Sequence, residues 1–206
     1  MIFDLVLQSE SGTFIMDGKG IVQSFHPSDN NPYVIEETEI KINKSHYTYK
    51  TNKTISTLIV PEKVKGFCSE FMRDVRIKDR LVLPDTLLSI GTYCPDNLDD
   101  EQYCVFANTI LPDVIIPSNV KSIGKFAFGK SVIKSLSIPL DLKLSYKYAR
   151  QFGASYIEEL RLPIEWENKV SIDKYGRLET DSSIHNIITP FCYVERLVFY
   201  PSSPEF

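Results

Sequence analysis

The chain has 206 residues, 43% of them hydrophobic, with a net charge of −4 and a pI near 5.5. That much apolar material excludes a disordered chain. An acidic balance, with Lys and Arg scattered among acids, excludes the clustered basic footprint of a nucleic-acid binder.

The first ten residues, Met-Ile-Phe-Asp-Leu-Val-Leu-Gln-Ser-Glu, carry an acid at position 4 and no basic n-region. They are not read as a signal peptide. No run approaches the ~18 apolar residues that cross a bilayer. On the chain alone the expectation is a soluble, unexported protein with no membrane span, cytoplasmic by default unless a leader preceded the numbering. Ile2 to Leu7 and Thr13 to Met16 read as short strands, and Asp17-Gly18-Lys19-Gly20 as a tight hairpin turn before Ile21-Val22. Ser28 to Pro32 reads as a loop and Tyr33 to Ile42 as strand, Ile40 and Ile42 alternating with Glu39 and Lys41. His46 to Tyr49 is another β-prone run, which Thr51-Asn52 turns into Lys53 to Val60. Residues 1–54 are therefore expected to form a small antiparallel β unit that caps the open end of an array built by residues 55–206.

From 55 to 206 the chain repeats one plan. Val114 to Phe128, Val-Ile-Ile-Pro-Ser-Asn-Val-Lys-Ser-Ile-Gly-Lys-Phe-Ala-Phe, shows it whole. An apolar triplet is stopped by Pro117; Val120 and Ile123 follow three apart, then Gly124 and an aromatic. The triplet recurs as Leu58-Ile59-Val60-Pro61, Leu81-Val82-Leu83-Pro84, Leu136-Ser137-Ile138-Pro139 and Leu160-Arg161-Leu162-Pro163. Leu197-Val198-Phe199 is a sixth copy, its proline one place late at Pro201. The proline intervals are 23, 33, 22, 24 and 38 residues, so three fit a coil of 22–24 and two carry insertions.

Other slots keep register. Ile55, Leu111, Ile133, Ile157 and Val194 stand three before their triplets; Lys78 breaks that column beside Ile77. Phe106, Phe128 and Phe152 precede the next proline by eleven. Val64 and Phe67, Leu87 and Ile90, and Val120 and Ile123 hold the third and sixth places after it. Alternation sends the first and third triplet residues inward. Proline ends the strand, and Gly91 and Gly124 are expected to supply left-handed corners. A coil cannot bury its own apolar edge, so about six coils must stack.

Val-Ile-Ile-Pro-x-x-Val-x-x-Ile-Gly-x-x-Ala-Phe resembles the repeat of the BspA-like leucine-rich-repeat family, and Pro84 to Gly91 is a second close match. Pro139 to Ala149 and Pro163 to Val170 are degenerate, with Ser145 and Lys169 in the sixth slot. The resemblance implies a mostly β fold: a leucine-rich-repeat solenoid of short parallel strands with turns or short helical pieces behind. It also implies a cell-surface or secreted setting and an adhesin-like, non-enzymatic protein-binding role.

Two insertions interrupt the array, near 95–105 and 165–190. The first gathers Asp96, Asp99, Asp100 and Glu101 without the order or glycine of a calcium loop, and reads as a solvated acidic loop. The second holds Trp166, the turn Lys174-Tyr175-Gly176-Arg177 and His185, and reads as a projecting hairpin or loop.

No motif nominates a reaction centre, cofactor or metal. His26, His46 and His185 stand apart; Gly18-Lys19-Gly20 is too short for a phosphate loop. Cys68, Cys94, Cys104 and Cys192 lack C-x-x-C spacing and read as buried thiols, Cys94 and Cys104 being the pair to test for a disulfide. Asn43-Lys44-Ser45 and Asn52-Lys53-Thr54 have the form of glycosylation triplets.

The outward strand positions are then Ile59, Val82, Ile115, Ser137, Arg161 and Val198, with Thr57, Arg80, Asp113, Ser135, Glu159 and Arg196 before them. The mostly apolar row is either a binding strip or is covered by the first unit or another chain. Arg80, Asp113, Ser135, Ser137, Glu159, Arg161 and Arg196 are the candidate contacts to a protein partner. The alternative role is a structural or assembly segment of a larger surface protein.

Overall fold

The computed structural model describes residues 5–29, 36–42, 45–68, 71–91, 105–142, 151–184, 188 and 192–201. Cys94, Cys104, the acidic loop, His185 and the degenerate stretch around Ser145 lie outside the described residues.

The chain opens with an antiparallel meander, β1 (Leu5–Ser9), β2 (Gly12–Met16) and β3 (Ile21–Pro27). Asp17 builds the turn into β3: its carboxylate accepts the Lys19 and Ile21 amides, both at 2.9 Å, while Gly20 takes φ 88°. Alternation within β2 buries Gly12, Phe14 and Met16 and leaves Thr13 and Ile15 half covered. A second hairpin comes next, β4 (Glu36–Ile42) paired antiparallel with β5 (Ser45–Thr51).

Long and short strands then succeed one another: β6 (Lys53–Ile59), β7 (Gly66–Phe67), β8 (Val75–Val82), β9 (Ser89–Ile90), β10 (Ile110–Ile115) and β11 (Ser122–Ile123). β12 (Val132–Ser137), β13 (Tyr156–Pro163), β14 (Val170–Ile172), β15 (Leu178–Thr180) and β16 (Tyr193–Tyr200) complete the series. The long ones, β6, β8, β10, β12, β13 and β16, form one parallel sheet in chain order. Val114 lies beside Leu136, Leu136 beside Leu160, and Leu160 beside Leu197; Leu58 lies beside Leu81 in the same way. Equivalent side chains therefore occupy one interior column, and Leu58, Val114, Leu136 and Leu160 are almost wholly buried there.

The break at Lys78 resolves in the register. Ile77 pairs with Ile55 and Arg80 with Thr57, so β8 carries one extra residue, a bulge, and Ile77 takes the apolar slot. After Pro61, Pro84 and Pro117 the chain makes a second, shorter ladder. β9 pairs β11, the Leu88 and Ser89 amides donate to Lys65 O, and β3 pairs β7, so the meander continues this side. Phe67, Ile90 and Ile123, the sixth-place residues, are all buried here.

A third column lines the same core. The rings of Phe106, Phe128 and Phe152 stack nearly parallel, 5.3 and 5.1 Å apart, and Phe67 meets Phe106 edge-on at 5.8 Å. Beside them runs a buried column of hydroxyls, Thr109, Ser131 and Ser155. Thr109 and Ser131 each donate to Phe106 O at 2.6 Å, and Ser155 donates to Phe152 O at 2.6 Å. These side chains take up carbonyls that the tight turn would otherwise leave unpaired in the interior.

The corners differ in part from the expectation. Gly91 does take a left-handed φ of 104°, but in the next coil the left-handed residues are Phe126 and Lys130 rather than Gly124. The recurrent corner lies instead just before four of the six long strands, β8, β10, β12 and β13, at Asp74, Asn108, Lys130 and Ala154, with φ between 53° and 60°. Their amides continue the coil-to-coil hydrogen bonding, as Asn108 N donates to Gly129 O and Lys130 N to Gly153 O. An L side chain with a Cβ is strained in this conformation, at a cost of roughly 1–2 kcal/mol. Ala154 has no polar group to offset that strain, so Ala154→Gly should stabilise by about 0.5–1 kcal/mol, read as a rise in denaturation midpoint.

The second insertion is a hairpin seated on the core. A 3-10 helix, Ile164–Lys169, buries Trp166, and β14 pairs β15 across a turn in which Asp173 accepts the Tyr175 and Arg177 amides. Leu178 and Ile184 join the same core. Cys192 is buried, which pushes its thiol up to about 12, and Cys68 is half-buried with its thiol donating to Gln23 O. Both are free.

Candidate functional site

Two outward rows run across the sheet. Asp113, Ser135, Glu159 and Arg196 are successive register partners, and so are Ile115, Ser137, Arg161 and Val198. Neighbours in a row sit one interstrand spacing apart, about 4.8 Å. Ile115 is 67% exposed, whereas Ile59, Val82 and Val198 are half-buried.

At the β6 end the meander covers the sheet. Ser11 Oγ accepts the Ile59 amide at 2.9 Å and donates to its carbonyl at 3.3 Å. Asp29 accepts the Ser56 amide at 3.1 Å. These contacts occupy edge groups that would otherwise be open to strand pairing. Arg80 faces Glu10 at 3.7 Å, both side chains exposed, a pair of small energetic weight.

At the other end, Asp113, Ser135, Glu159, Arg161 and Arg196 line a hollow of about 260 Å³ with Lys134, Glu158 and Glu195. Five of the seven residues expected from the sequence meet here. Arg80 does not, being occupied by the meander, and Ser137 stands beside the hollow on the neighbouring row.

Glu159 organises the hollow. It is only 7% exposed, two residues before Arg161 on the same strand and directly across from Arg196. Arg161 donates Nε to one carboxylate oxygen, and Arg196 donates Nε at 2.7 Å and an Nη to the other. The hydrogen bond from Arg161, with that from Arg196, holds the Glu159 carboxyl below its usual range against the opposing effect of burial. The stabilisation from this depressed carboxyl is present above its unfolded-state pKa and is lost as pH falls through the folded one. With both oxygens engaged by cations that do not deprotonate, Glu159 is a strut and not a general base.

The second hairpin touches the sheet at the strand starts, outside the lining of the hollow. Tyr47 of β5 meets Tyr193 of β16 at a ring distance of 6.4 Å, and Lys50 O accepts from Asn108 Nδ2 at 3.2 Å. Tyr156 O–H donates to Glu195 at 2.5 Å. Burial, helped by Tyr47 and Tyr193, pushes the Tyr49 phenol up to about 12.

Residues 101–190 match the family model described as BspA type Leucine rich repeat region, in 6 copies. Over that stretch the chain is similar to BspA-type leucine-rich repeats. No curated protein and no solved structure matches it. The matched leucine-rich-repeat segment contains β10, β12 and β13, and with them most of the hollow. The same slots continue outside it, through β6 and β8 on one side and β16 on the other.

Lys134, Glu158 and Glu195 escaped the sequence reading. Each follows the first apolar slot of its repeat (Ile133, Ile157, Val194), and the two residues between that slot and the triplet both face outward. Among the described residues, no three His, Cys, Asp or Glu are placed to hold a metal ion. His26 is exposed on β3, away from the hollow. No described helix is long and apolar enough to cross a membrane.

Proposed function

We propose that the chain is a solenoid of stacked coils whose strand face binds a protein partner, with residues 1–54 as its cap. The observation that carries this reading is the pair of outward rows in register, which present Ile115 exposed beside a hollow edged by Arg161 and Arg196. An apolar group flanked by pinned guanidiniums has the composition of an interface centre. The hydrogen bonds of Ser11 and Asp29 to β6 support the cap. A non-enzymatic role fits a hollow whose one sheltered carboxylate is locked between two arginines.

Ile115→Arg tests the face. Ile115 is 67% exposed, so the melting temperature should stay within about 2 °C, surface changes costing little. Capture of the partner from native cells should fall at least tenfold. Lys121→Ser, on the side of the short strands, should leave capture unchanged. Equal capture by both variants would remove the strand face from consideration.

A further inference from the structure

Glu159 fixes two guanidiniums side by side and neutralises only one of them. Arg161 gives it Nε, Arg196 gives it Nε and one Nη. The other guanidinium N–H groups stay available, on side chains 49% and 69% exposed. Guanidiniums held in place lose little freedom on binding and match a carboxylate through paired N–H donors.

The hollow, at about 260 Å³, falls below the ~300–1,000 Å³ of small-molecule pockets, so it suits one side chain. Glu158 and Glu195 stand toward the strand starts, with Lys134 on the same rim. They are roughly 10 Å along the strand from the row of Arg161, beyond the ~8 Å screening length at physiological salt, whereas Arg196 and Asp113 stand on the row next to theirs. An anion is therefore drawn to the Arg161 side of the hollow. Ile115 lies on the row of Arg161 two strands away, across Ser137. That is about 10 Å, which a polyproline-II-like chain covers in three residues with the first and fourth side chains on one face.

We propose that Arg161, with Arg196 beside it, receives the carboxylate of an Asp or Glu in a polyproline-II-like segment of the partner protein. An apolar residue about three positions away covers Ile115. This rests on the strand-face reading and adds to it the chemistry of the partner.

The probe is a labelled peptide, acetyl-Gly-Glu-Ser-Ser-Leu-Gly-amide, followed by fluorescence anisotropy on the full chain, beside its Gln-for-Glu and Ser-for-Leu counterparts. Saturable binding is expected, at least tenfold weaker for the Gln peptide and severalfold weaker for the Ser peptide. Arg161→Ala with Arg196→Ala should abolish the difference between the Glu and Gln peptides. Equal binding of the Glu and Gln peptides to the unaltered protein, or no binding of either, overturns the proposal, and those arms hold even if the double variant misfolds. A protein that loses partner capture with Ile115→Arg yet ignores the Glu peptide keeps its strand face and loses the acidic anchor.

Discussion

Phe128→Ala is expected to remove most of the stability of the chain. The ring is wholly buried between Phe106 and Phe152, stacked at 5.3 and 5.1 Å with planes 9° apart on each side. Deleting such a side chain costs about 3–5 kcal/mol, of a total that is typically 5–15. Two stacking contacts are lost with it, each worth roughly 0.5–1.5 kcal/mol beyond burial. A hole at Phe128 also parts the repeats of Phe106 and Phe152, which meet through its ring. The melting temperature should fall on the order of 10 °C. Phe128→Leu, which refills most of the volume, should cost clearly less. A Phe128→Ala protein melting within about 2 °C of the parent would show that the aromatic column does not hold the coils together.

Gly12→Ala carries the second large effect, for a different reason. Gly12 has φ 144°, and a Cβ there would lie 2.2 Å from His26 O and 2.9 Å from the Phe25 ring. The first of these is backbone and has no rotamer in which to escape. The β1–β2 turn would have to move, and with it Ser11, which holds both polar groups of Ile59 on the edge of β6. A loss of about 1–3 kcal/mol is expected, together with faster hydrogen exchange at the Ile59 amide. Unchanged exchange at Ile59 would mean that the turn does not seal that edge.

What the sequence disclosed about this fold is the part that repeats. Proline after each triplet, and apolar residues at its third and sixth places, placed Phe67, Ile90 and Ile123 in the core and set Val114, Leu136 and Leu160 side by side. Those slots are legible because one geometric demand is met again in every coil. The corner before four of the long strands is not, because Asp74, Asn108, Lys130 and Ala154 share a backbone conformation and no chemistry. Nor is the hydroxyl column, since Thr109, Ser131 and Ser155 look like turn residues until the carbonyls they satisfy are known. The reach of β5 to Tyr193 joins residues 146 positions apart, through a contact no local pattern encodes.

The candidate site was half legible for the same reason. Asp113, Ser135, Glu159 and Arg196 followed from their shared place before the triplet, yet that place could not show that Glu159 is sheltered and clasped from two sides. The second outward place, holding Lys134, Glu158 and Glu195, departs from strict alternation, so a period-2 reading passes over it. The second insertion read as projecting, but Trp166 and Leu178 fasten its hairpin to the core.

Interstrand NOEs in a deuterated, methyl-labelled sample address the stacking most directly. Contacts should link the strands of Val114, Leu136, Leu160 and Leu197 in that order, with parallel-sheet patterns throughout and the methyls of each residue meeting those of the next. Antiparallel patterns, or strands adjoining in any other order, would contradict the coil-upon-coil arrangement.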